Sequence, residues 1–364
     1  MAPIKSTKFG YMSIFTDKVE TDNNIAGIGA TYSTTEVFEP GNGYRYLIYT
    51  APGYLNVNRG GSVDLLLVGG GGAGGNGEFY PPTGYYAGGG GGAGGYFQDF
   101  NFTLPIGEYD ISIGDGGSRG PTPATGQPGT FRSGNPGSPS YISGPGITTI
   151  IAYGGGGGGG SYDYSPVDYH AGSGSDGGSG GGRAKGAVST LTGQGNRTTA
   201  TAGPLPSPVV GSPIPAYLQG SGEVQGYPGG PAPTAEPMAS GGGGAGGAGG
   251  SPGLAYFGGI GRPAWTNDAG IPPSYGTPGP TPGRWFAGGG GGGYDYLAPT
   301  SPPFTWENGG AGGGGRSADG RPPGTQSSNP GTTNTGGGGG GGSSNGYAAG
   351  NGGPGIVIIR YRIS

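Results

Sequence analysis

Eight stretches of almost unbroken glycine govern what this chain can become: 69–75, 88–95, 154–160, 177–182, 241–250, 288–293, 309–315 and 336–342, each interrupted at most by Ala or Ser. A glycine run has no side chains to bury and the most conformational entropy to lose, so only its own backbone groups can order it. Collagen is not indicated, because it needs Gly at every third position between Pro-rich neighbours. A flexible linker is the plain alternative, but eight runs of similar length do not look like linkers. The conformation that suits them is polyglycine II: left-handed, three residues per turn, about 3.1 Å rise, with no internal hydrogen bonds. Every N–H and C=O then points outward and needs a partner, which a neighbouring run can supply when both backbones are bare. The expectation is one bundle, with 69–75, 88–95, 154–160, 241–250, 288–293, 309–315 and 336–342 running parallel or antiparallel and hydrogen-bonding to one another.

Such a bundle needs an anchor, and the apolar residues supply it. Leu, Ile, Val and Phe number 52 in 364 residues, and only 16 of them fall within 154–349; the rest of the chain can build a small core. Glu108–Ile113 alternates, with Tyr109, Ile111 and Ile113 on one side. Tyr96–Leu104 reads the same way, with Phe100, Phe102 and Leu104 together opposite Asp99, Asn101 and Thr103. Tyr44–Tyr49, Val63–Val68, Thr148–Tyr153 and Ile356–Ile363 are more continuously apolar and read as central strands. Ile356–Ile363 must return to an early strand, Val63–Val68 or Tyr44–Tyr49. Since Val63–Val68 runs into 69–75 and 88–95 runs into Tyr96–Leu104, two glycine helices should project from adjacent strands. The predicted fold is all-β: a small antiparallel β-sandwich (41–153 plus 350–364, with glycine helices 69–95 projecting), an inserted polyglycine II bundle with long Pro/Gly/Tyr-rich loops (154–349), and an N-terminal attachment arm (1–40).

Chemistry has little to stand on. The chain has no Cys and a single His, His170, so thiolate metal sites and cysteine nucleophiles are excluded and a histidine-based triad or metal cluster lacks partners. Matches to GxGxxG follow from glycine abundance alone, and none opens an amphipathic helix. Asp163 and Asp168 could enter a calcium site, although solvated loop acids are the default. A pI near 5.0 and only four Lys argue against a nucleic-acid groove, and no apolar run approaches the ~20 residues of a membrane span. The chain is read as a non-enzyme with no cofactor, no metal, no nucleic acid and no membrane insertion.

Aromatic residues carry more information. Among 24 Tyr, three Trp and 11 Phe, many sit between glycine runs beside Asp, Asn and Pro, the make-up of binding loops. Tyr162, Asp163, Tyr164, Asp168 and Tyr169; Trp285 and Phe286; and Tyr294, Asp295, Tyr296 and Trp306 are the candidate ligand contacts. Their rings would stack on sugars and their acids would hold hydroxyls of a surface glycan. The competing reading is that the rings cap the glycine lattice in place of a core.

Several segments carry a resemblance: Gly43-Tyr-Arg-Tyr-Leu-Ile-Tyr-Thr-Ala-Pro-Gly53, Val63-Asp-Leu-Leu-Leu-Val-Gly-Gly-Gly-Gly72, Ile111-Ser-Ile-Gly-Asp-Gly-Gly117 and the ending Gly353-Pro-Gly-Ile-Val-Ile-Ile-Arg-Tyr361. Together they resemble glycine-rich structural proteins of tailed bacteriophages, of the kind abundant in cyanophages. The resemblance covers about 41–160 and the C-terminal segment, while the middle is similar in composition only. The chain resembles more loosely the polyglycine II tail-fibre tip adhesins of T-even-type phages and the glycine-rich ectodomain of anaplastic lymphoma kinase, which contains Cys. The resemblance implies a virion component made in a host cytoplasm, a homo-oligomer bound to other tail or capsid proteins: a tail fibre or tip adhesin first, a capsid-decorating or head-fibre protein second. A non-viral extracellular glycine-rich fibre is the third expectation.

Overall fold

The computed structural model describes residues 29–33, 36–80, 84–121, 133–160, 172, 174–184, 225–230, 238–250, 256–265, 270–294, 309–318, 327–344 and 346–363. Among them there is no helix, and the strands are β1 (Gly29–Ser33), β2 (Glu36–Phe38), β3 (Tyr44–Tyr49), β4 (Gly53–Arg59), β5 (Gly61–Val68), β6 (Glu78–Tyr80), β7 (Gly84–Tyr86), β8 (Tyr96–Leu104), β9 (Gly107–Ser112), β10 (Ser140–Ser143), β11 (Ile150–Ala152), β12 (Arg262–Pro263), β13 (Trp285–Phe286) and β14 (Ile356–Arg362). The protein is all-β, and the pairings are antiparallel. Two five-stranded sheets, ordered β1-β4-β9-β10-β11 and β2-β3-β14-β5-β8, form the sandwich. β1 and β2 fall inside the segment expected as an arm and serve as edge strands of the two sheets.

Alternation explains which face each strand buries. Leu47, Tyr49, Leu65, Leu67, Val357, Ile359 and Tyr361 meet Leu55, Val57, Tyr109, Ile111 and Ile142 of the other sheet in the first core. The intervening residues Tyr46, Ile48, Leu66, Val68, Ile356 and Ile358 face the opposite way and are equally buried, under Trp265, Ile271, Tyr275, Phe286 and Ala287. The β2–β8 sheet is therefore covered on both faces at its centre, which is why β3, β5 and β14 read as continuous apolar runs. Its centre is β14, which pairs with β3 through Val357–Arg362 and with β5 through Ile356–Arg360. Thr148–Tyr153, expected to be central, yields only β11 at a sheet edge.

One strand departs from simple alternation. The β5–β8 register slips between Val63 and Leu65, and Asn101 takes the left-handed conformation at φ 57°. Its N–H donates to Asp64 Oδ1 at 2.9 Å. This bulge turns Phe100 outward, 51% exposed, instead of placing it with Phe102 and Leu104; a bulge shifts the period-two phase by one residue.

At the end of β5 the backbone passes straight into glycine. Ser140 Oγ spans the junction, donating to Val68 O at 2.7 Å and accepting from Gly114 N at 2.9 Å. Gln225 seals the sheet edge beside it: its Nε2 donates to Ile151 O, its Oε1 accepts from Tyr153 N, and its carbonyl accepts from Tyr96 N.

Candidate functional site

Beyond the sandwich, tract 88–95 shows how glycine replaces a core. Gly88, Gly91 and Gly94 donate to Gly342, Gly339 and Gly336; Gly89, Gly92 and Gly95 donate to Gly159, Gly156 and Tyr153; Gly90 and Ala93 donate to Ser240 and Gly243, all at 2.7 to 3.0 Å. Its carbonyls accept in the same rotation, from Gly75, Gly72 and Gly69, from Gly182 and Ser179, and from Gly293 and Gly290. Every third residue returns to the same neighbour, and six neighbouring segments close a ring around the tract. The same holds for 69–75, which donates to 89–95, 135–138 and 350–353 and accepts from Gly117, Gly155, Gly158, Gly339 and Gly342. It holds again for 336–342, ringed by 69–75, 88–94, 288–291, 315–318, Asn329 and 350–353. These three tracts also bond to one another. All glycines of 69–75, 88–95 and 337–342 keep φ out of the positive region, so they share one hand although Gly allows either.

Outer tracts obey a rule that interior tracts do not. In 133–139, Gly134 and Gly137 donate to Gly158 and Gly155, and Asn135 and Ser138 donate to Ser118 and Asp115. The third slot, which faces away from these partners, holds Pro136 and Pro139, residues with no N–H to satisfy. Pro330 stands likewise between Asn329, which donates to Arg316, and Gly331, which donates to Asn351. Two expected tracts also bend. At 309–315, Gly312 and Gly313 take φ of 102° and 95° and Gly314 donates back to Gly310, while 241–250 turns back on itself where Gly244 N donates to Gly247 O. Positive φ at Gly312 and Gly313 breaks the common hand within 309–315, and the chain rejoins the bundle at Gly315, which donates to Gly338.

Of the candidate ligand contacts, the structure places three. Trp285 is buried in β13, its Nε1 donating to Thr281 O at 3.0 Å, with Gly279 packed so closely that a Cβ there would meet the indole ring. Phe286 is fully buried in the second core. Tyr294 is buried with Met238 and Tyr256, its ring 5.5 Å from that of Tyr256. None of the three offers its ring to solvent, and the structure does not group them: Phe286 belongs to the core over the sheet and Tyr294 to a separate aromatic cluster. Tyr162, Asp163, Tyr164, Asp168, Tyr169, Asp295, Tyr296 and Trp306 lie outside the described residues.

Polar contacts that the sequence reading missed hold the loops to the sheet. Arg360, in the middle of β14, lies over Trp265 at 4.3 Å and Tyr44 at 4.7 Å and pairs with Asp64. Tyr275 donates to Glu36 Oε2 at 2.7 Å, and burial together with that carboxylate pushes its hydroxyl up to about 12. Arg284 donates from Nε to Tyr275 O and from Nη2 to Pro273 O and Gly276 O, and burial lowers its pKa. At a tract end, buried Asn76 donates to Gly120 O and Pro121 O and accepts from Ala349 N. Asp64 and Arg360 were detectable as opposite charges inside two apolar strands. Among the described residues, no group of His, Cys, Asp and Glu is large enough to hold a metal ion, and no helix is long and apolar enough to cross a membrane.

A two-sheet sandwich continued by a glycine lattice defines the class: a glycine-rich, all-β protein whose backbone amides do the work of a core. The chain belongs to the family described as the glycine-rich domain, whose model matches residues 50–362. None of the curated proteins compared with it matches.

Proposed function

We propose that this chain is a non-enzymatic structural protein of a phage virion, a tail fibre or fibre-tip adhesin, and that its glycine tracts are polyglycine II helices. The threefold rotation of hydrogen bonds around 88–95 carries the reading. A three-residue repeat with all bonds external, in a single hand, is what polyglycine II requires, and it makes a stiff body with no reactive side chain in its interior. The virion assignment rests on the resemblance of the Gly43–Gly53, Val63–Gly72 and Gly353–Tyr361 segments to glycine-rich phage proteins. Tail or capsid proteins and further copies of the chain are its partners, and a host surface glycan is the ligand. With Trp285, Phe286 and Tyr294 buried, ligand contact is assigned to Tyr162, Asp163, Tyr164, Asp168 and Tyr169 and to Asp295, Tyr296 and Trp306. Each site would be weak, and several copies per particle would supply affinity through avidity.

The test pairs an adsorption assay with a melting curve. Replacing Tyr162, Tyr164 and Tyr169, or Tyr296 and Trp306, by Ala and Ser should lower adsorption far more than thermal stability. Unchanged adsorption in both variants leaves the second reading, a capsid-decorating or head-fibre protein, which the burial of the three placed aromatics favours. Immunogold labelling of intact virions separates tail from capsid, and particles without label anywhere would overturn the virion assignment.

A further inference from the structure

From the position of β14 we infer that the domain folds through a single closing step, in which the segment 350–362 completes the inner sheet and the glycine lattice together, so that native structure waits for that segment to emerge from the ribosome. The inference rests on the topology and holds whatever the chain binds.

In chain order β14 follows all the other strands, yet in space it is the middle strand of its sheet, between β3 and β5. Without it those two strands stand two strand spacings apart, roughly 9.5 Å, beyond hydrogen-bond reach. Both faces depend on it as well. Val357 and Ile359 fill the first core, and Ile356 and Ile358 fill the second. The tract that leads into β14 plays the same part in the lattice. Gly71 and Gly74 donate to Gly353 and Gly350, while Gly350 and Gly353 donate to Gly340 and Gly337. The rings around 69–75 and 336–342 therefore stay open until 350–353 arrives. Isolated glycine tracts cannot hold a fixed conformation, because ordering each residue costs backbone entropy and the return comes only from partners. The two halves of the molecule are thus coupled through one segment, and neither has a complete partner set before it.

The full chain can be translated with a C-terminal arrest tether of two lengths, one keeping 350–362 inside the ribosomal exit tunnel and one letting it clear. Limited proteolysis of the stalled chains then reads the fold. The short tether should leave the chain as sensitive as denatured protein, and the long tether should raise the resistant fraction to that of released protein. A resistant sandwich or bundle on the short tether would overturn the inference. Loss of resistance on the long tether, where the released control is resistant, would do so too, because emergence of β14 would then not suffice.

Discussion

Arg360 Nε donates to Asp64 Oδ2 at 2.8 Å across the β14–β5 pair, with both side chains nearly out of solvent, 10% and 11% exposed. The same carboxylate holds the β8 bulge through Asn101 N, and the guanidinium lies against Trp265 and Tyr44. One ion pair thus fixes a strand register, a bulge and the loop that covers the inner sheet.

Removing either charge alone should therefore be costly. Asp64→Ala leaves a buried guanidinium without its carboxylate and an amide without its acceptor, and is expected to destabilise by about 3–5 kcal/mol. Asp64→Asn keeps an acceptor for Asn101 and should cost less. Urea titration of both variants, with Arg360→Met and the double variants, measures the coupling. Equal losses in Asp64→Ala and Asp64→Asn would show that the charge carries the whole effect and the acceptor for Asn101 none, and an Asp64→Asn variant as stable as the parent would show that the charge contributes nothing.

Lattice position should decide what a side chain costs. A Cβ at Gly91 would sit within 3.0 Å of the carbonyl of Gly72 and the backbone of Ala73, atoms that cannot give way without breaking hydrogen bonds. Gly91→Ala should lose more than about 3 kcal/mol, at the severe end of overpacking. Pro136→Ala, in an exposed third slot, should stay within about 0.5 kcal/mol. Thermal melts of the two variants check this, and comparable losses would contradict the enclosed-tract arrangement.

Alkaline pH should loosen the loop over β2. Tyr275 is raised from 10.0 to about 12 in the folded protein, by burial first and then by Glu36. A group raised on folding contributes stability that is complete below its unfolded pKa and lost as pH climbs through the folded one. The contribution of Tyr275 is thus present below about pH 10 and disappears toward about pH 12. Tyr275→Phe should melt lower than the parent at neutral pH and converge with it across that window. Buried Tyr49 is also raised, so both proteins weaken with alkali, and the difference between them is the quantity to follow. A constant difference would remove the Tyr275–Glu36 contact as its cause.

Much of the architecture was legible along the chain because backbone chemistry is local. The alternation of Tyr109, Ile111 and Ile113 marked a strand, and unbroken glycine from 69 to 75 and 88 to 95 marked segments that only other bare backbones could satisfy. Their direct fusion to Val63–Val68 and Tyr96–Leu104 showed that the two tracts leave adjacent strands. The apolar run of Ile356–Ile359 announced a strand that must return to the early ones.

Other features depended on contacts between residues far apart. Phe100 faces water because Asp64, on another strand, captures Asn101 N and inserts a bulge; no property of the β8 sequence specifies that capture. Trp285, Phe286 and Tyr294 have the composition of a binding loop, and they are buried because Gly279 packs on Trp285, the inner sheet on Phe286, and Met238 and Tyr256 on Tyr294, which local pattern cannot report. Tract 309–315 is nearly as glycine-rich as 336–342, with only Ala311 interrupting it, yet one bends and the other is ringed by six partners. Glycine permits both conformations at equal local cost, so the sequence by itself determined which segments could join a lattice of bare backbones, and only the tertiary arrangement of hydrogen-bond partners decided which of them did.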